Sequence, residues 1–296
     1  MKIGTRGSRL ALWQAHYVQA ELAKHGIDSE LEIIKTQGDR IQHLGFDKLE
    51  GKGFFTKEIE DALLAGRVDC AVHSLKDLPT QQPDGLVLAA LSYRASVEDV
   101  LLIHPDRAVA GRPFALADGA TIGTSSNRRK AILKDLHPGL TPVDIRGNVP
   151  TRMQKALHGE LDAVVLAAAG LERLELDLSG LKVIKPSPRE FVPAPGQGVM
   201  AIQTREEDIE MRKKMSLLHH LVVGECTNVE RSVLSLMEGG CSLPLGVYCE
   251  KDQLGNYHVW AAYATALDAP LRRVQVSQST RAGLPERVVE ELLATA

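Results

Sequence analysis

Two stretches of this chain occur twice, and that repetition limits the folds open to it. Ile3-Gly4-Thr5-Arg6-Gly7-Ser8-Arg9 is echoed by Ile122-Gly123-Thr124-Ser125-Ser126-Asn127-Arg128, each reading as a strand that runs into a helix start. Gly66-Arg67-Val68-Asp69-Cys70-Ala71-Val72 is echoed by Gly159-Glu160-Leu161-Asp162-Ala163-Val164-Val165, each a helix stop running into a buried strand. Two copies of one unit predict two similar α/β lobes facing each other across a cleft, with ligand between them. The first copy is longer, and most of the excess is the connection Thr36 to Phe55, which holds Gly38, Gly45, Gly51 and Gly53. Such an insertion reads as a mobile lid or as a plain surface loop.

In chain order, Lys2 to Thr5 is a predicted strand, and Ser8 caps a helix with Leu10, Trp13 and Tyr17 on one face. A second strand runs from Glu30 to Lys35. Thr56 caps a helix that turns Ile59, Ala62 and Leu63 inward, and Gly66 stops it. Further strands are predicted at Cys70 to His73, Leu86 to Leu91, Val100 to Ile103, Thr141 to Ile145 and Val199 to Gln203. Two crossings between the lobes, near Arg94 and at Pro193-Ala194-Pro195-Gly196-Gln197-Gly198, form a hinge. The remainder changes character. A helix from Cys226 to Met237, a hairpin of Gly246 to Glu250 with Tyr257 to Ala264, a strand at Arg272 to Ser277 and a helix opened by Pro285 form a small α+β unit with a three-stranded sheet. The expected partition is 1–95 with 196–216, then 99–192, then 219–296.

Bulk properties exclude several classes. A net charge of −3 gives no global basic field, and two Trp, five Tyr and five Phe offer few stacking platforms, so nucleic acid is not an expected partner. No window reaches the apolar length of a membrane span, and no apolar leader opens the chain. Cys70, Cys226, Cys241 and Cys249 form no C-x-x-C pair, so neither a zinc site nor a disulfide framework is indicated. The expectation is a soluble, cytoplasmic, monomeric protein with reduced thiols.

The chemistry centres on Val72-His73-Ser74-Leu75-Lys76-Asp77-Leu78-Pro79, where an apolar strand breaks into a polar turn and Pro79 forbids continuation. Arginines gather at the strand-to-helix turns: Arg6 beside Ser8, Arg128 and Arg129 beside Ser125 and Ser126, and Arg146-Gly147-Asn148 with Arg152 following. A helix N-terminus favours anions, so cations there make sense when a bound carboxylate or phosphate completes the site. The competing account pairs each arginine with a nearby acid such as Asp144 or Glu160. No phosphate loop is present, which disfavours a nucleotide. Cys241, in Glu238-Gly239-Gly240-Cys241-Ser242-Leu243-Pro244, stands in an open glycine loop suited to covalent work, whereas Cys70 and Cys249 read as core and Cys226 lies at a helix start.

Taken together, these motifs resemble the porphobilinogen deaminase (hydroxymethylbilane synthase) family. The matching pieces are Gly4-Thr5-Arg6-Gly7-Ser8 with Leu10-Ala11-Leu12-Trp13-Gln14, Gly51-Lys52-Gly53-Phe54-Phe55, Val72 to Thr80, Gly123 to Arg129, Arg146-Gly147-Asn148-Val149, Pro195-Gly196-Gln197-Gly198 and Glu238 to Ser242. The resemblance spans the chain. It implies two periplasmic-binding-protein-like α/β domains plus a small third domain. The implied activity is head-to-tail joining of four porphobilinogen molecules into hydroxymethylbilane, with loss of ammonia, in haem-type tetrapyrrole biosynthesis. It implies a dipyrromethane primer bound to Cys241 as a thioether, held by Lys76, Ser125, Ser126, Arg128, Arg129, Arg146 and Gly147. Substrate and the growing pyrrole chain would meet Arg6, Ser8, Arg152, Arg173 and Gln197. Asp77 would be the catalytic group, a buried carboxylate facing a transient cation, and Lys52 and Phe54 would belong to the lid. That chemistry calls for no metal. One departure is Arg94-Ala95-Ser96-Val97-Glu98-Asp99, where the family commonly has Arg-Glu-Asp-Pro-Arg-Asp, and it bears on the hinge and the rate. The rival reading is a non-catalytic bilobed module that binds small carboxylates.

Overall fold

The computed structural model describes residues 1–36, 56–238, 240 and 243–294. Lys52, Phe54 and Cys241, and with them the expected lid and covalent anchor, lie outside the described residues. The chain divides into two compact units, Met1–Ala95 with Gly196–Asn228 and Ser96–Pro195 with Val229–Ala296.

In the first unit, β1 (Lys2–Thr5), β2 (Glu30–Ile33), β3 (Cys70–Ser74), β4 (Leu86–Leu91) and β10 (Met200–Arg205) form one sheet in the order β2-β1-β3-β10-β4. β1 runs parallel to β2 and β3, while β10 runs antiparallel to β3 and β4. One face carries Ile3, Cys70, Val72 and Ile202 against Ala15, Val18 and Leu22 of α1 (Arg9–Lys24) and against Met211 and Met215 of a helix at Ile209–Ser216. The other face carries Ala71 and Leu86 against Ile59, Ala62 and Leu63 of α2 (Lys57–Leu64). Each fully buried Leu or Ile contributes about 1.5–3 kcal/mol, so both covers are anchored.

The second unit repeats this plan. β5 (Asp99–Ile103), β6 (Thr121–Gly123), β7 (Thr141–Val143), β8 (Ala163–Ala167) and β9 (Lys182–Ile184) follow the order β7-β6-β8-β5-β9, with the same sequence of parallel and antiparallel pairings. β5 is buried on both faces, as its unbroken apolar run requires. Leu101 and Ile103 meet Ile132 and Leu133 of α3 (Asn127–Leu136). Val100 and Leu102 meet Met153 and Ala156 of α4 (Val149–Leu157) and Ala168 and Leu171 of α5 (Ala168–Arg173). The same unit holds an antiparallel meander, β11 (Leu245–Lys251), β12 (Tyr257–Tyr263) and β13 (Arg272–Gln278). Asp252 closes its first hairpin by accepting the N–H groups of Leu254 and Asn256 at 2.9 and 2.8 Å. The remaining helices are α6 (Ile209–Ser216), α7 (Leu221–Leu236) and α8 (Leu284–Ala294).

Several local expectations are corrected. Trp13 and Tyr17 do share a face of α1, stacking at 5.7 Å, but that face is half-buried and the buried one is Gln14, Ala15, Val18 and Leu22. Thr56 precedes α2 but makes no side-chain cap, because its backbone is already helical (φ −118°, ψ −27°) and its hydroxyl serves Glu60. β7 ends at Val143, since Ile145 is tied instead to Ser125. Cys226 lies within α7 and is buried, not at a helix start.

Candidate active site

In the first unit, the carboxyl ends of β1 and β3 carry the candidate residues. Beyond β1, half-buried Arg6 precedes Ser8, whose Oγ accepts the Ala11 N–H at 3.3 Å and so starts α1. Beyond β3, Leu75–Asp77 form a single 3-10 turn. Three contacts hold it. The Leu75 N–H donates to Val199 O at 2.9 Å, Lys76 Nζ donates to Gln197 Oε1 at 3.3 Å, and Gly196 lies flush against Leu75. Gly196 has φ +75°, and a Cβ there would fall 2.8 Å from Leu75 Cγ, so both conformation and space demand glycine. Gln197 is fully buried, and its carbonyl accepts from Arg94 Nε at 3.1 Å.

Asp77 departs from expectation: it is exposed, and among the described residues no hydrogen bond or ion pair reaches its carboxylate. A 3-10 turn directs its middle and last side chains outward once Leu75 has filled the core, which is why the acid ends at the surface. His73 is buried, and burial pushes its imidazole down to about 4, so it is neutral and belongs to the sheet rather than to acid-base chemistry.

In the second unit, Ser126 caps α3 by accepting the Arg129 N–H at 3.4 Å. Ser125 Oγ donates to Ile145 O at 2.7 Å and accepts the Ile145 N–H at 3.0 Å, stitching this turn to the one after β7. Gly123 admits that closeness, since a Cβ there would lie 2.8 Å from Ile145 Cδ1. Arg146 is half-buried, and Gly147 takes φ +106°. Asn148 then caps α4 by accepting the Thr151 N–H at 3.0 Å, and Arg152 Nε donates back to Gly147 O at 2.7 Å. Arg173 is buried at the end of α5.

Arg128 and Arg129 converge on Asp99, an acid the sequence reading did not assign. Arg128 Nη1 donates to Asp99 Oδ2 at 2.7 Å, and Arg129 Nη2 and Nε donate to Oδ1 at 2.6 and 3.1 Å. The Asp99 side chain is fully buried. Burial alone would raise its carboxyl, but the two guanidiniums outweigh that and hold it well below the usual carboxylate range. The acids named as rival partners are engaged elsewhere: Asp144 with Lys130 at 2.8 Å and Glu160 with Lys155 at 3.0 Å. A usable signal for Asp99 was its place at the head of a wholly apolar strand, where a carboxylate needs a cation. Two cations against one anion leave the cluster one positive charge in excess, in a region where charge is costly unless compensated.

Residues 1–213 match the family described as porphobilinogen deaminase, dipyromethane cofactor binding domain. The chain is 42% identical over 268 residues to the porphobilinogen deaminase of Chloroherpeton thalassium, covering 90% of this chain and 83% of that protein. It is 44% identical over 248 residues to the porphobilinogen deaminase of Sulfurimonas denitrificans, covering 83% and 77%. Among solved structures, the periplasmic VFT2 domain of Bordetella pertussis BvgS aligns with a TM-score of 0.44 at 15% identity, covering 73% of this chain and 85% of that one.

Proposed function

The chain belongs to the porphobilinogen deaminase family, and from that premise we propose which of its residues carry the reaction. The activity is that of a transferase of tetrapyrrole biosynthesis: four porphobilinogen molecules are joined head to tail into hydroxymethylbilane, each losing ammonia, on a dipyrromethane primer. The relatives do not favour the rival reading of a non-catalytic carboxylate-binding module.

Asp77 is the catalytic group. The observation that carries this assignment is its presentation: an exposed carboxylate with no partner among the described residues, on a turn whose backbone and neighbouring Lys76 are held. Ammonia loss from the aminomethyl group of porphobilinogen leaves a cation delocalised over the pyrrole. A carboxylate fixed beside it stabilises that charge and accepts the pyrrole N–H. Asp77→Asn tests the role. The variant is expected to keep its fold and its primer while kcat falls by about 10²-fold or more, and near-normal turnover removes Asp77 from the mechanism.

The residues present fit a polyanionic primer. Each pyrrole ring carries an acetate and a propionate, and the excess cation of the Arg128–Asp99–Arg129 cluster is the charge such a group would balance. When bound, the dipyrromethane supplies the pyrrole carbon to which the first substrate ring is joined. Lys76, Arg128, Arg129 and Arg146 would hold its carboxylates. Ser126 accepts a backbone N–H and keeps its hydroxyl proton to donate, whereas Ser125 has spent its proton on Ile145 O, so Ser125 and Gly147 would contribute backbone. Arg6, Ser8, Arg152, Arg173 and Gln197 are assigned to substrate and the growing chain, Cys241 to the thioether, and Lys52 with Phe54 to a lid, all by the motif match.

We propose further that the small antiparallel sheet forms a third domain and that the protein works as a cytoplasmic monomer. Buried thiols at Cys70, Cys226 and Cys249 suit a reducing compartment, and no helix among the described residues is long and apolar enough to cross a membrane.

A further inference from the structure

We propose that Gln82, Gln203 and Glu60 are positioning residues for Asp77, acting as a chain of hydrogen bonds that links α2 to the backbone just beyond the catalytic turn. The inference rests on the assignment of Asp77 to the chemistry. A carboxylate with no side-chain partner among the described residues is placed by the backbone on either side of it. Upstream, the Leu75 N–H is tied to Val199 O at 2.9 Å. Downstream, Gln82 Nε2 donates to Pro79 O at 2.9 Å, two residues past Asp77.

Gln82 is itself aimed from the sheet. Its Oε1 accepts from Gln203 Nε2 at 2.9 Å, and the same Nε2 donates to Glu60 Oε1 at 3.3 Å. Each orientation follows from the next. Pro79 O can only accept, so Gln82 must turn its NH2 toward it and its oxygen toward Gln203. Gln203 must then present its NH2 to both Gln82 and Glu60, because a carboxyl of α2 and an amide oxygen both call for a donor. Gln203 is fully buried on β10, in register with Ala71 of β3, so this anchor moves with the strand that carries the turn. Glu60 is buried on α2 and is further engaged by the Thr56 hydroxyl. Each unmade bond in such a buried network costs its group its desolvation, which favours keeping the donors of Gln203 on these two acceptors.

Gln82 is the member to test, since it is half-buried on a loop while Gln203 and Glu60 sit in the core. Gln82→Glu keeps the oxygen for Gln203 but, when ionised, has no proton for Pro79 O. Gln82→Met keeps the length and carries no donor. With purified full-length protein and porphobilinogen as substrate, both variants are expected to lose about tenfold or more in kcat with KM within about twofold, as displacement of a catalytic group demands. The kcat of Gln82→Glu relative to wild type should rise as pH is lowered from about 8 toward 5, because the protonated acid regains a donor, while Gln82→Met stays flat. Wild-type kcat in both variants, a loss confined to KM, or a ratio for Gln82→Glu that does not change with pH overturns the proposal. Asp77→Asn is measured alongside: if it retains turnover, the assignment of Asp77 fails. If it is inactive and the Gln82 variants are not impaired, only the positioning chain fails.

Discussion

Replacing Asp99 by Asn removes one carboxylate from between two buried guanidiniums, and the structure sets the size of the effect. The amide oxygen can still accept from Arg129, whose Nη2 and Nε both reach Oδ1, but its NH2 then faces Arg128 Nη1 donor to donor where a 2.7 Å bond stood. Arg128 and Arg129 are left as like charges in a site where their side chains are only 5% and 9% exposed. Breaking a buried pair by removing one partner costs about 3–5 kcal/mol, a large share of the roughly 5–15 kcal/mol that holds a folded domain. Urea unfolding followed by circular dichroism should therefore show the midpoint lowered by roughly 1 M or more. The pH dependence has a definite sign. The folded-state carboxyl is depressed, so its contribution is complete above the unfolded value, near about pH 4, and is lost only as pH falls below it. The gap between wild type and Asp99→Asn should stay constant from neutral pH to about 5 and narrow in stronger acid. A variant within about 0.5 kcal/mol of wild type at pH 7 would refute the claim that Asp99 compensates the arginines.

The other predictions follow from single sites. His73 is buried neutral with its pKa lowered to about 4, so folding stability should decline as pH falls from about 6.5 through 4, by about 3 kcal/mol. His73→Gln should remove that part of the acid dependence in unfolding titrations, and an unchanged profile excludes the buried imidazole as its source. Arg146→Leu and Arg152→Leu should each slow substrate handling or stall elongation, read as short pyrrole chains retained on the protein in mass spectra. Normal polymerisation by both variants removes those arginines from the site.

Much of this architecture could be read from the residues because it is local or periodic. The paired Gly-Thr turns became equivalent strand ends in two sheets with the same pattern of parallel and antiparallel pairing, and the apolar run at Val100 became a strand covered on both faces. What escaped was set by contacts between residues far apart in sequence. Nothing near Asp99 announces Arg128 and Arg129, since the partners meet only when β5 and α3 pack. Ser125 reads as a ligand group until the loop after β7 arrives to take its hydroxyl. Thr56 has the composition of a cap but not the backbone of one. Gln82 and Gln203 carry no motif at all, and their meaning lies in the direction of the bonds between them.

The central claim is that this chain elongates pyrroles from a primer tethered at Cys241. Intact mass spectrometry of the purified protein tests it most directly. Wild type is expected to be heavier than its sequence by one dipyrromethane, with the adduct absent from Cys241→Ser. An unmodified wild type that still converts porphobilinogen to hydroxymethylbilane would contradict it.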